Sequence, residues 1–292
     1  MSNTTRIDHI DIAAGIMILW LLLYHALWPI YESEVLHTIP WFFYFMPWFF
    51  YKSGYFFAPK PLNVTIRKDA SKLLKQYAIW SIIGFFFYIA ELLMFGDGIS
   101  FHTLFYKPLR NLIFIGAVPV DRSLWFLPVL FFVHLLATIF SRKVDLLWVG
   151  IICLIIAVAL HFIHYDNMPR PIYATAWGLF FFSVGNKLSK IENNILVFLG
   201  AIAVLIVVFA FTDIPACYDR ENSLCWWEYL GWYPASIAGC VVLDNVCSWV
   251  SKSINQSINQ SINQSINQSI NQSMSPLPTC CFCKYTQMGR LS

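Results

Sequence analysis

The stretch "DIAAGIMILWLLLYHALW", residues 11–28, has an aspartate at its start, a histidine near its end, and only small, apolar and aromatic side chains between them. About 20 such residues in helical form cross a hydrocarbon core of roughly 30 Å. The run is continuously apolar and does not alternate, which favours a helix over a barrel strand. It is full-length and lacks a small-residue cleavage site, so it reads as a first membrane span and not as a removable signal.

Working outward, seven further runs share this character. With the first, near 10–30, they lie near 38–58, 73–95, 123–141, 145–163, 172–188, 194–212 and 229–250. The second contains Lys52 and the sixth is short, so these two fit the pattern least well. The chain is 58% hydrophobic and 12% charged, with a mean hydropathy of +0.61, whereas a soluble domain carries about 25% charge. The expectation is an all-α polytopic transmembrane bundle of about eight spans. The formal net charge of +3 is too small and too scattered for a nucleic-acid surface.

Basic residues set the orientation. With the N-terminus cytoplasmic, the inner segments hold Arg6, Lys60, Arg67, Lys68, Lys72, Lys75, Arg142, Lys143, Lys187, Lys190 and Lys252. The outer segments hold only Lys107, Arg110, Arg122, Arg170 and Arg220. This bias predicts an inside N-terminus. Among the cysteines, Cys217 and Cys225 could pair if the outer side is oxidising. Cys153, Cys240 and Cys247 read as packing residues. Cys280, Cys281 and Cys283 lack a histidine or a second paired cluster, so no metal site is expected.

Ionisable residues inside spans are costly and become functional candidates. Asp11 and His25 return to nearly the same helical face, yet stand roughly 21 Å apart at about 1.5 Å per residue. They cannot form a hydrogen-bonded pair; if both act, they act at opposite ends of one path. His25 suits a general base, since desolvation favours the neutral imidazole. The competing reading is a histidine hydrogen-bonded to a neighbouring helix or interfacial water. Glu91, near the outer end of the third span, could orient His25 or simply reach to the interface. His134, in the fourth span, reads as structural.

The segment "APKPLNVTIRKDASKLLKQY" places Arg67, Lys68, Lys72 and Lys75 at the inner face. Such a cluster could hold the phosphates of a nucleotide-like donor by charge-assisted hydrogen bonds. Topology and lipid headgroups alone would also account for it.

Three segments in order carry a family resemblance. "RIDHIDIAAGIMILWLLLYHA", "MPWFFYKSGYFF" and "SLWFLPVLFFVHLL" resemble successive elements of the membrane-bound acyltransferase 3 family, and "LFFFSVGNKLSK" is similar to a further one. The match spans residues 6–190, and the sugar O-acetylase branch is the most similar. The resemblance implies transfer of an acyl group, usually acetyl, from cytoplasmic acyl-CoA to a hydroxyl of a surface or exported glycan. It implies a multi-pass protein of the bacterial inner membrane, with acyl-CoA as co-substrate and no bound cofactor. His25 matches the family's essential histidine, Asp11 its first-span aspartate, and Arg67 to Lys75 its basic motif. Two departures bear on the donor. Ala14 stands where a basic residue is common, and Lys72 and Lys75 stand where arginines are frequent, which loses bidentate phosphate geometry.

From Ser253 to Met274 the chain reads "SINQSINQSINQSINQSINQSM". Polar low-complexity sequence of this kind predicts disorder. The bases TCAATCAATCAA encode Ser-Ile-Asn-Gln in every frame, so the perfect repetition points to a tract of TCAA units that slips by whole units and shifts the frame. The family resemblance implies about ten spans, so residues 275–292, foreign in composition, read as an out-of-frame tail and this product as an inactive form. The expected division is an acyltransferase domain over 1–252, the repeat over 253–274, and the tail. Two other classes compete. A transporter or flippase for a lipid-linked sugar would show paired, broken half-helices and internal repeats. A membrane scaffold would leave His25 replaceable.

Overall fold

The computed structural model describes residues 8–27, 44–95, 100–119, 122–162, 169–191, 194–212 and 226–273. Among the described residues every regular element is helical, as the apolar runs require. In chain order they are α1 (Asp8–Leu27), α2 (Phe45–Tyr55), α3 (Leu62–Asp69), a π turn (Ala70–Leu74), α4 (Lys75–Phe95), a π turn (His102–Tyr106) leading into α5 (Lys107–Phe114), a 3₁₀ turn (Arg122–Trp125) leading into α6 (Phe126–Phe140), α7 (Leu146–Phe162), α8 (Arg170–Leu188), α9 (Ile195–Phe211) and α10 (Trp226–Ser273).

A helix falls at each of the eight expected positions. Three of the helical stretches, Leu62–Phe95, Ser123–Phe140 and Leu230–Asn267, are long and apolar enough to cross a membrane by length and composition. Leu146–Leu160 and Ile195–Phe211 are shorter apolar helices. Differences from expectation cluster in the second and third spans. α2 is an 11-residue helix, and residues 38–43 of that expected span lie outside the described residues. The third helix begins at Leu62, well before the expected 73, because Pro61 adopts φ −53° and ψ 137° and launches the chain directly into α3. The short helical stretch His102–Phe114 has no counterpart among the expected spans.

Burial is arranged inside-out. α8 is buried continuously from Tyr173 to Gly185 apart from Ala176, so it forms the centre, with α2, α6 and α7 packed around it. A helix apolar on all sides belongs in such a place. Trp177 stands edge-on to Phe50, Trp125, Phe181 and Trp232 and ties four elements together. Meanwhile Trp80, Phe86, Phe87, Met94, Trp148, Ile155 and Ile206 point outward, each more than half exposed. Water would penalise a surface of this extent; lipid does not. Lys52, the charge that fitted its span poorly, lies over the Trp48 ring at 5.3 Å, a cation–π contact that compensates for lost water.

Glycines let the central helices touch. A Cβ added at Gly54 on α2 would overlap the Phe182 carbonyl oxygen on α8, and one at Gly185 on α8 would overlap the Tyr51 carbonyl. The contact is reciprocal, backbone against backbone, as small residues allow between membrane helices. Asn186 adds hydrogen bonds from Nδ2 to the Gly54 and Phe57 carbonyls at 3.3 and 3.4 Å, capping the end of α2.

The repeat is the main correction. It does not depart from regular structure over Ser253–Ser273 but continues α10, a helix of 48 residues. Extending a helix already nucleated by packing needs no new nucleus. The serines stitch the ladder, each hydroxyl donating to the carbonyl four residues back, from Ser257→Ser253 to Ser269→Ser265, at 2.9–3.0 Å. Near its start, Asn255 Nδ2 donates to Asp8 Oδ2 at 3.4 Å and links the repeat to the first turn of α1. The expected tail, 275–292, lies outside the described residues, as do Cys217, Cys225, Cys280, Cys281 and Cys283.

Candidate functional site

Three polar side chains from three helices meet beside the central helix. Ser53 Oγ on α2 lies 2.6 Å from His134 Nε2 on α6, and His134 Nδ1 lies 3.0 Å from Asp69 Oδ2 at the end of α3. A carboxylate can only accept, so His134 Nδ1–H donates to Asp69 and the Nε2 lone pair faces the serine hydroxyl. Nucleophile, base and orienting acid are thus in hydrogen-bond series, the arrangement that activates a serine.

Local structure explains the placement. Gly54 brings α2 hard against α8 and so fixes its neighbour Ser53. The His134 ring is held edge-on by Phe182, with centroids 5.3 Å apart, and its own carbonyl accepts from Thr138 Oγ1 at 2.8 Å. Asp69 is 8% exposed and closes α3 just before the π turn Ala70–Leu74. Such a turn inserts one residue into the helix and changes which faces precede and follow it. The site is not sealed: the side chains of His134 and Asp69 remain 23% and 12% exposed.

Around the turn lies the predicted basic cluster. Arg67, Lys68, Lys72 and Lys75 are all exposed, while Thr65 and Asp69 on the other side of α3 are buried. None of the four has an ion-pair partner among the described residues. Lys60 and Arg142 join this end of the bundle, Arg142 donating to the Lys60 carbonyl at 2.9 Å. Beside Tyr55, the last residue of α2, an open cavity of about 300 Å³ is lined also by His9, Ser189, Lys190, Ile191, Ser248 and Lys252. Lys190 and Lys252 thus lie close to the end of α2.

The other predicted residues are spread along the bundle. Asp11 lies at this basic end, exposed on α1 and within electrostatic reach of Lys52. Glu91 is exposed near the opposite end of α4. His25 falls near the end of α1, and its side chain lies outside the described residues. Among the described residues no cluster of three or more His, Cys, Asp or Glu could hold a metal ion. Cys153, Cys240 and Cys247 are free thiols in the interior or partly so.

Ser53 and Asp69 do not stand out in the sequence as candidates, and His134 reads there as structural. The available signals were a histidine inside an apolar span and an aspartate within a run of bases. Neither distance along the chain nor helical period connects Ser53 with His134, because only the fold of α2 onto α8 and α6 does.

With this geometry in view, the family becomes clear. Residues 7–266 match the acyltransferase domain family, and the chain belongs to it. That range begins at the first apolar run and reaches into the repeat, beyond the boundary expected at 252. No curated protein and no solved structure matches the chain.

Proposed function

We propose that the protein moves an acyl group, acetyl by family resemblance, from cytoplasmic acyl-CoA to a hydroxyl of a surface or exported glycan. The observation that carries this reading is the exposed basic run from Arg67 to Lys75, without an ion-pair partner among the described residues, on the same segment as the buried Asp69 that joins Ser53 and His134. Charged phosphates stay at the basic end while the thioester reaches inward. In this reading the basic end is cytoplasmic, the N-terminus lies inside, and the bundle is a multi-pass protein of the bacterial inner membrane. His25, at the other end of α1, belongs to the acceptor side, with Glu91 near its depth. Membership of an acyltransferase family favours group transfer over the transporter reading.

The repeat adds regulation. A TCAA tract slips by single units, and each slip changes the reading frame, so expression of the working C-terminus varies between sibling cells.

The test is glycan O-acylation in cells that depend on this gene. In a full-length version, read in frame beyond the repeat, replacing His25 by Ala is expected to abolish acylated glycan, read by mass spectrometry, while membrane insertion stays intact. Undiminished acylation in that variant would remove His25 from the mechanism.

A further inference from the structure

We infer that Ser53 is the acyl-accepting nucleophile of a two-step transfer, with His134 as its base and Asp69 as the residue that positions the imidazole. The inference rests on the reading above that the donor is an acyl-CoA.

The geometry meets each requirement of an activated serine. Oγ and Nε2 are 2.6 Å apart, within reach for proton transfer. Nδ1 is engaged by Asp69 at 3.0 Å, which fixes the tautomer and steadies the imidazolium when it forms. Phe182 holds the ring from the side and the Gly54 contact holds the serine's backbone. A merely structural tie between α2 and α6 would need the hydroxyl and the imidazole. It would not need a buried carboxylate on the second ring nitrogen, taken from a helix whose other face is basic.

Depth supports the same assignment. α10 serves as a scale, since Asn255 bonds Asp8 and the Tyr51 hydroxyl bonds Asp244. The rise from Asp244 to Asn255 is roughly 16 Å, which sets Ser53 roughly 13 Å above Asp8 and His25 roughly 26 Å above it. Ser53 stands midway between the two residues that cannot meet. An acyl group on Ser53 has already travelled about half of that path, after which CoA is free to leave.

The chemistry balances without a further reactant. Ser53 Oγ attacks the thioester carbonyl carbon as His134 Nε2 takes the hydroxyl proton. The C–S bond breaks, and His134 returns that proton to the departing sulfur, giving CoA thiol and an acyl ester on Ser53. In the second half, an acceptor hydroxyl attacks the ester carbonyl as His134 Nε2 takes its proton, the bond from the acyl carbon to Ser53 Oγ breaks, and His134 returns the proton to Oγ. Thioester and alcohol become ester and thiol, with no change of oxidation state.

The experiment uses the full chain in lipid nanodiscs with radiolabelled acetyl-CoA and no acceptor, quenched in acid and mapped by mass spectrometry. The expected result is one acetyl group on the peptide holding Ser53. Ser53→Ala should carry none, and Ser53→Cys should carry a thioester, released by hydroxylamine far faster than the serine ester. His134→Ala should slow labelling by about a hundredfold or more. Asp69→Asn should slow it and also change its pH profile, which loss of a structural tie would not do. Binding of labelled acetyl-CoA is measured in parallel on every variant. If donor binds but no label reaches residue 53, or Ser53→Ala labels elsewhere as fast as the native chain, the nucleophile assignment is overturned and the donor reading stands. If the native chain binds no acetyl-CoA, the donor reading fails and takes this inference with it.

Discussion

Gly54 and Phe182 touch backbone to backbone, so that any side chain at residue 54 would occupy the space of the Phe182 carbonyl oxygen. Replacing Gly54 by Ala should therefore separate α2 from α8 at a cost of about 1–3 kcal/mol or more. Gly15→Ala and Gly200→Ala are the controls, since an added Cβ meets nothing within 4 Å at either position. Thermal unfolding in detergent should show a lower midpoint for Gly54→Ala and an unchanged or slightly raised one for the controls. Equal midpoints for all three would contradict the close approach.

The basic face of α3 makes a second prediction. Changing Arg67, Lys68, Lys72 and Lys75 to Gln should weaken acyl-CoA binding about thirtyfold, taking four exposed charges at about 0.5 kcal/mol each. The loss should shrink as salt is added, because exposed charges are screened within about 10 Å at 0.1 M. A donor affinity that stays constant across the four-fold variant would return these residues to topology and lipid headgroups alone.

How far the sequence revealed this fold can be judged from particular helices. Apolar runs predicted a helix at every expected position because lipid demands long unbroken hydrophobic stretches. The early start at Leu62 was hidden because α3 is polar on one face and its order depends on Pro61 and on packing against α6. The helical repeat was hidden for a related reason: its composition alone favours disorder, and its helix is inherited from residues 226–252. At the site, single residues were legible and their pairing was not. Arg67 to Lys75 stood out as a cluster, whereas Ser53, Asp69 and His134 come from three separate segments brought together only by tertiary contacts.

A third prediction concerns pH. Asp145, in the loop before α7, accepts from the Leu147 backbone N–H at 3.0 Å and from Lys187 Nζ at 3.3 Å. The Leu147 N–H and then Lys187 hold its carboxyl below the usual carboxylate range. A carboxyl depressed by folding contributes stability above its unfolded pKa and loses that contribution as pH falls through the folded value. Protection against hydrogen exchange at the first turn of α7, taken relative to the intrinsic rate at each pH, should accordingly fall once pH drops below about 4. In Asp145→Asn that acid-dependent step should be missing; its persistence would assign it to other groups.

A fourth prediction addresses the tract. Descendants of a single cell should carry tracts differing by single TCAA units, and one length class in three should open a frame encoding a further apolar run of about 20 residues. Synonymous codons scattered through the repeat would rule out slippage.

When the tract changes by three units, the frame is kept and the protein gains or loses one Ser-Ile-Asn-Gln. Because α10 carries the repeat as helix, each such step lengthens the rod by about 6 Å and turns its tip about 40° past a full revolution. Ile254, Ile258, Ile262 and Ile266, each about half exposed, therefore trace a slowly winding apolar thread along the rod. Under the slippage proposed above, sibling cells that all read the same frame would still hold whatever follows the repeat at different heights and headings, so the tract would act as a ruler as well as a switch.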